Sequence, residues 1–165
     1  MITLVLGGAR SGKSAVAEAI AGRDRTVTYL ATGAADPGDD DMAARIAAHR
    51  RRRPAQWTTV EAGADLARAL RAQPAGTVLV DALGTWVAAH EQLDPDAEAL
   101  IAALRSRTGD TVVVSDEVGL GVHPSTEVGR RFRDVLGAVN LAVADAADDV
   151  LFVIAGRVLP LARVG

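Results

Sequence analysis

Apolar residues fall into short runs along this chain, and most of those runs do not alternate with polar positions. Residues 2–6, 27–31, 77–80, 111–114 and 150–155 read as strands, with 57–61 as a further short one. Between them lie stretches of good helix formers at 15–21, 64–72 and 97–107, and a long amphipathic segment over 127–147. Strands apolar on both sides must be covered on both faces. The alternation therefore predicts an α/β fold, a mainly parallel sheet with helices on both faces, in a single domain over residues 1–165. Residues 156–164 form a weaker terminal strand, which Pro160, lacking a ladder donor, places at an edge.

One predicted helix, over residues 41–52 and stopped by Pro54, has little to bury. Met42 and Ile46 make a thin apolar stripe, while Asp41, Arg45, His49 and Arg53 follow one another at i,i+4 along a polar line. Such a helix projects from the core or packs on a neighbouring subunit.

The chemistry begins directly behind the first strand. Gly7-Gly8-Ala9-Arg10-Ser11-Gly12-Lys13-Ser14 fits G-x-x-x-x-G-K-[ST], a phosphate-binding loop, and has the strand before it and helix after it that the motif requires. Gly7 and Gly12 are expected to allow backbone angles that a Cβ would forbid, so that successive N–H groups converge on one anion. Lys13 supplies a compact charge for the outer phosphates and Ser14 a hydroxyl for Mg²⁺. Lys13 is also the sole lysine; every other basic side chain, histidine aside, is arginine, as if a point charge rather than a planar fork were needed here.

Composition narrows the partners. Hydrophobic residues make up 49% of the chain but aromatics only 3%, so the core is built from Ala, Val and Leu. A net charge of −3 argues against nucleic acid as a partner, and the absence of cysteine excludes disulfides, thiolate metal sites and a Cys nucleophile. With no signal-peptide pattern and no apolar run near the ~20 residues that cross a bilayer, the expectation is a soluble cytoplasmic protein without membrane insertion.

In parallel sheets ligands bind beyond the carboxyl ends of the strands. Glu61, Asp81, and Asp116 with Glu117 lie at such ends. Asp81 after Val78-Leu79-Val80 reads as the acid that holds Mg²⁺, directly or through water. Asp81-Ala82-Leu83-Gly84 also spells D-x-x-G, but no N-K-x-D guanine-reading element accompanies it. His49-Arg50-Arg51-Arg52-Arg53 has two readings: a solvated basic helix end, or an imidazole nucleophile whose neighbouring guanidiniums cradle phosphates.

Here the chain resembles the bifunctional adenosylcobinamide kinase/adenosylcobinamide-phosphate guanylyltransferase family of cobalamin (vitamin B12) biosynthesis. The resemblance is carried by Gly7 to Ser14, Tyr29-Leu30-Ala31-Thr32, Met42-Ala43-Ala44-Arg45-Ile46 with His49, and Arg53-Pro54. It continues through Trp57, Glu61, the strand ending at Asp81, Glu117-Val118-Gly119-Leu120-Gly121, Phe132-Arg133-Asp134, Gly137, Asn140, Ala147-Asp148 and Gly156. It implies a homotrimeric, RecA-like P-loop NTPase fold. It also implies phosphorylation of adenosylcobinamide with ATP or GTP, then transfer of GMP from GTP through a guanylylated histidine, to give adenosylcobinamide-GDP. Carried over by position, that histidine is His49. Arg50, Arg51, Arg52 and Arg53 would bind the nucleotide's phosphates together with the loop, Glu61 its base or ribose, and Thr32, Gly33, Ala34 and Leu83 would line the pocket. Two positions depart from the family pattern: Asp116 stands where Asn is expected and Leu141 where Gln is, which bears on corrinoid contacts more than on the nucleotide.

Two other readings use the same loop: a small-molecule kinase of another pathway in which His49 is structural, and a non-catalytic nucleotide switch. His90, beside Glu91 at a polar helix end, and His123, in the loop after Gly121, read as solvated residues.

Overall fold

The computed structural model describes residues 1–22, 25–33 and 54–163; the predicted helix over 41–52, with His49, and also Ala34 and Arg50 to Arg53, lie outside the described residues. In chain order the elements are β1 (Ile2–Gly7), α1 (Lys13–Ala21), β2 (Val27–Ala31), β3 (Thr58–Glu61), α2 (Leu66–Arg71), β4 (Thr77–Asp81) and α3 (Leu83–Ala88). A 3₁₀ turn (Glu91–Leu93) leads to α4 (Ala97–Ser106), β5 (Thr111–Asp116), α5 (Glu127–Ala146), β6 (Asp149–Ile154) and β7 (Arg157–Pro160). The strands form a seven-stranded sheet in the order β3-β2-β4-β5-β1-β6-β7. All neighbours are parallel except β6 and β7. Pro160 ends the antiparallel edge strand, as its missing donor predicted.

The unbroken apolar runs are explained by the two layers they serve. Leu4 and Leu6 of β1, Val78 and Val80 of β4 and Val113 of β5 face Leu66, Leu70, Leu83, Trp86, Leu100, Leu104, Leu136, Val139 and Val143 from α2 to α5. Val5, Leu79, Val112 and Val114 face the other way, toward Ala17 and Ala21 of α1. Each such side chain contributes about 1.5–3 kcal/mol when fully buried, so the central strands anchor both layers. The helix α1 meets the sheet through the small side chains of Ala17 and Ala21.

The helix α3 has no signature in the hydrophobic pattern. It is six residues long and includes Gly84 and Thr85, so propensity does not favour it; burial of Leu83, Trp86 and Val87 holds it in place. Trp86 has the largest of the fully buried side chains, and its Nε1–H donates to the Ala64 carbonyl at 3.0 Å, so its polar tip is satisfied. The longer helices are capped by side chains: Asp96 accepts from the Ala99 amide at 2.8 Å for α4, and Thr126 from the Gly129 amide at 3.1 Å for α5. At the end of the sheet away from the loop, Arg107 donates to Thr111 Oγ1 (2.9 Å) and the Gly76 carbonyl (2.7 Å), and burial pushes its guanidinium below the ordinary arginine range. Among the described residues, no helix is long and apolar enough to cross a membrane.

Candidate active site

The loop after β1 is shaped by backbone demands that differ from one glycine to the next. Gly12 has φ +94°, which a side chain would strain; Gly7 needs space instead, since a Cβ there would stand 2.9 Å from the Val153 carbonyl oxygen. The expectation that both glycines serve unusual backbone angles is thus corrected for Gly7. Arg10 takes the second left-handed position of the loop, at φ +57°. Two contacts hold the curve: the Ser11 amide donates to the Gly8 carbonyl at 3.3 Å, and the Gly156 amide donates to the Ser11 carbonyl at 2.8 Å. That second contact comes from the turn between β6 and β7, where Ala155 (φ +51°) and Gly156 (φ +71°) make a two-residue reversal of the I′ kind. A terminal hairpin therefore braces the phosphate loop.

Gly12 caps α1 with no side chain of its own, while the first helical amide, that of Lys13, donates to Ser11 Oγ at 3.3 Å, and the positive end of the helix opens onto the loop. Lys13 opens the helix. Its side chain is 13% exposed and its ammonium lies 2.7 Å from Asp116 Oδ1, while donating to the Gly8 carbonyl at 3.3 Å. Asp116 ends β5, in register with Gly7 of β1, and the Glu117 amide donates to the Gly7 carbonyl at 3.1 Å. The tip of β5 is further fixed from α5: Ser115 donates to Asn140 Oδ1 at 2.6 Å and Asn140 Nδ2 to the Asp116 carbonyl at 3.0 Å.

Asp81 ends β4, on the far side of β5 from β1, and accepts a hydrogen bond from the buried Tyr29 hydroxyl. Ser14 and Asp81 are both partly exposed. A hydroxyl and a carboxylate are the hard oxygen donors that Mg²⁺ takes beside nucleotide phosphates and water, so the residues present fit that ion. Among the described residues there is no group of three or more His, Cys, Asp or Glu able to hold a metal by themselves.

The other predicted residues are placed differently. Thr32 is wholly buried; its hydroxyl donates to the Ala82 carbonyl at 2.6 Å, accepts from the Ala82 amide at 3.0 Å and lies 2.6 Å from Thr85 Oγ1. It clasps the end of β2 to the start of α3. Gly33 follows it and packs against Thr85. Leu83 is 0% exposed and belongs to the core, so it presents no surface to a ligand here. Glu61 is exposed at the tip of β3, the outermost strand, four strand spacings from β1, or roughly 19 Å across the sheet. The structure thus gathers Gly7 to Ser14 with Asp116 and sets Glu61 well apart from them. What the sequence did not reveal is Asp116 as the partner of Lys13; an acid ending an apolar strand was visible, but which strand neighbours β1 was not.

A type III secretion system ATPase from pathogenic bacteria shares the fold, at TM-score 0.51 and 11% identity, with the chain covered over 92% of its length and spanning about half (50%) of that structure. The bifunctional adenosylcobalamin biosynthesis protein CobP of Pseudomonas aeruginosa is 42% identical over 98% of this chain and 97% of its own. The bifunctional adenosylcobalamin biosynthesis protein CobU of Escherichia coli K12 is 37% identical over 94% and 97%. Residues 3–161 match the family described as cobinamide kinase / cobinamide phosphate guanyltransferase, and the chain belongs to that family.

Proposed function

We propose that the chain carries out two successive transfers: it phosphorylates the aminopropanol hydroxyl of adenosylcobinamide with ATP or GTP, then moves GMP from GTP onto the new phosphate, giving adenosylcobinamide-GDP for cobalamin biosynthesis. The observation that carries this reading is family membership over nearly the whole chain. The phosphate loop supports its first half. Catalysis of phosphoryl transfer is mostly positioning and neutralisation of charge on the transferred group, and the ammonium of Lys13, the loop amides and the positive end of α1 support both. Mg²⁺, held by Ser14 and Asp81 when bound, would offset further charge on the phosphate oxygens.

For the second half, His49 is the proposed acceptor. Its imidazole nitrogen attacks the α-phosphorus of GTP, an N–P bond forms and pyrophosphate leaves, with Arg50 to Arg53 stabilising the leaving group. The phosphate of the cobinamide then attacks the guanylyl group and restores the imidazole. We further propose a cytoplasmic homotrimer. Its support is the thin apolar stripe predicted for residues 41–52, together with Leu141, Ile154, Val158 and Leu159, which are exposed on α5 and the β6–β7 edge.

The test is to supply adenosylcobinamide with γ-labelled ATP or GTP and separate the corrinoids. Label should appear in a phosphorylated corrinoid. Label remaining in nucleotide, or released only as inorganic phosphate, would sink the kinase reading.

A further inference from the structure

The geometry points to Asp116 as a competitor built into the phosphate site: its carboxylate holds the ammonium that a nucleotide's phosphate requires, so that nucleotide binding must displace or outbid it. The inference rests on the phosphate-loop reading of Lys13 and adds a residue that sets the affinity of that site.

The Lys13–Asp116 contact is short, 2.7 Å, and Lys13 is mostly buried, so the pair is less screened by water than a surface ion pair. Asp116 is also held where it is. Its carbonyl accepts from Asn140 Nδ2, its neighbour Ser115 donates to Asn140 Oδ1, and the Glu117 amide is bonded to Gly7. Its second oxygen occupies the space over Gly84, where a Cβ would lie only 2.6 Å from Oδ2. That contact gives a local reason for the glycine of Asp81-Ala82-Leu83-Gly84. These bonds fix the backbone at the tip of β5, so Asp116 stays beside Lys13 and its carboxylate remains within reach of any phosphate that Lys13 binds.

Two consequences follow from charge alone. A phosphate arriving at Lys13 must take a donor already engaged by a carboxylate, and it must sit beside that negative charge. Both effects weaken binding, and both are larger for a nucleotide without its divalent cation, because the cation offsets charge on the phosphate oxygens. Asp116 thereby makes the site favour the metal–nucleotide complex over the free nucleotide.

The experiment is calorimetric titration of ATP, with Mg²⁺ and with EDTA, into the full chain and into Asp116→Asn, which keeps the shape and removes the charge. The variant should bind metal-free ATP about tenfold more tightly, with a smaller gain for MgATP. Because Lys13 is the sole lysine, ¹⁵N-lysine labelling gives one ammonium resonance, expected to move in Asp116→Asn and also when the wild type takes up ATP. Equal or weaker binding of metal-free ATP by the variant, or a resonance indifferent to the substitution, overturns the inference. Failure of both proteins to bind ATP at all overturns the phosphate-loop reading instead. Should Asp116→Asn not fold, Gly84→Ala turns the carboxylate aside by crowding Oδ2 and is expected to tighten metal-free ATP in the same way; no tightening there also overturns the inference.

Discussion

Ser115 and Asn140 are joined by a 2.6 Å hydrogen bond, both nearly buried, and Asn140 uses its amide nitrogen for the Asp116 carbonyl. One side chain on α5 thus satisfies two groups at the tip of β5, the strand whose last residue meets Lys13. Asn140→Ala would leave the Ser115 hydroxyl and the Asp116 carbonyl without that partner. The expected loss is about 1–3 kcal/mol, read as a lowered denaturation midpoint, together with weaker nucleotide binding. A stable variant with unchanged nucleotide affinity would show that Asn140 does not position this strand end.

Much of the fold was legible because each central strand is apolar on both sides, and a residue such as Leu79 between Val78 and Val80 has no other explanation than two covered faces. Pro160 marked the edge for an equally local reason. The order of the strands was not legible, since nothing in the residues of β5 says that it lies between β1 and β4. That is why Asp116 could be seen as a strand-end acid and a departure from the family pattern, yet not as the partner of Lys13. Of the helix α3 only a polar end near His90 was read, because tertiary burial of Trp86, not propensity, makes it. The brace from Gly156 to the Ser11 carbonyl was missed because contacts between chain segments 145 residues apart leave no trace in local pattern (156 minus 11).

The turn between β6 and β7 places Ala155 at φ +51°, a conformation that Asn tolerates better and that the I′ turn favours. Ala155→Asn should stabilise the chain by about 0.5–1 kcal/mol, a rise of roughly 1–4 °C in melting temperature for a domain of this size. A melting temperature unchanged or lowered would show that the turn is not held in this form in solution.

Trp86 fills the space between α3 and the sheet and keeps its indole N–H bonded to Ala64. Trp86→Ala should cost about 3–5 kcal/mol, as expected for removal of a buried aromatic. Equilibrium denaturation measures it. A loss under about 1 kcal/mol would mean that α3 is not docked as described.

Lys13→Ala separates chemistry from folding. Asp116, a third exposed, can be solvated once its partner is gone, so the fold should persist with little change in melting temperature. Phosphorylation of adenosylcobinamide should fall by roughly 10²–10³, the loss expected when a charge-assisted contact to the reacting phosphate is removed. A near-wild-type rate in a folded variant would remove Lys13 from the reaction.

His49→Ala separates the two proposed activities. Phosphorylation needs the loop, Lys13 and the metal–nucleotide complex, none of which involves an imidazole, so the variant should still convert adenosylcobinamide to its phosphate. Transfer of GMP needs a nucleophile that can form and release an N–P bond, and the neutral imidazole is suited to that at physiological pH. With α-labelled GTP the wild type should carry protein-bound label that is acid-labile and alkali-stable, and peptide mapping should place it on His49. The variant should carry none. His90 and His123 provide the internal control: His90 Nδ1 lies 2.8 Å from the Trp86 carbonyl oxygen and its ring stacks edge-to-face on that indole at 5.1 Å, while His123 Nδ1 lies 2.8 Å from Arg133 Nη1. Label persisting in His49→Ala, or mapping to either of these, would move the guanylyl acceptor elsewhere; loss of phosphorylation along with transfer would mean that the two reactions share His49.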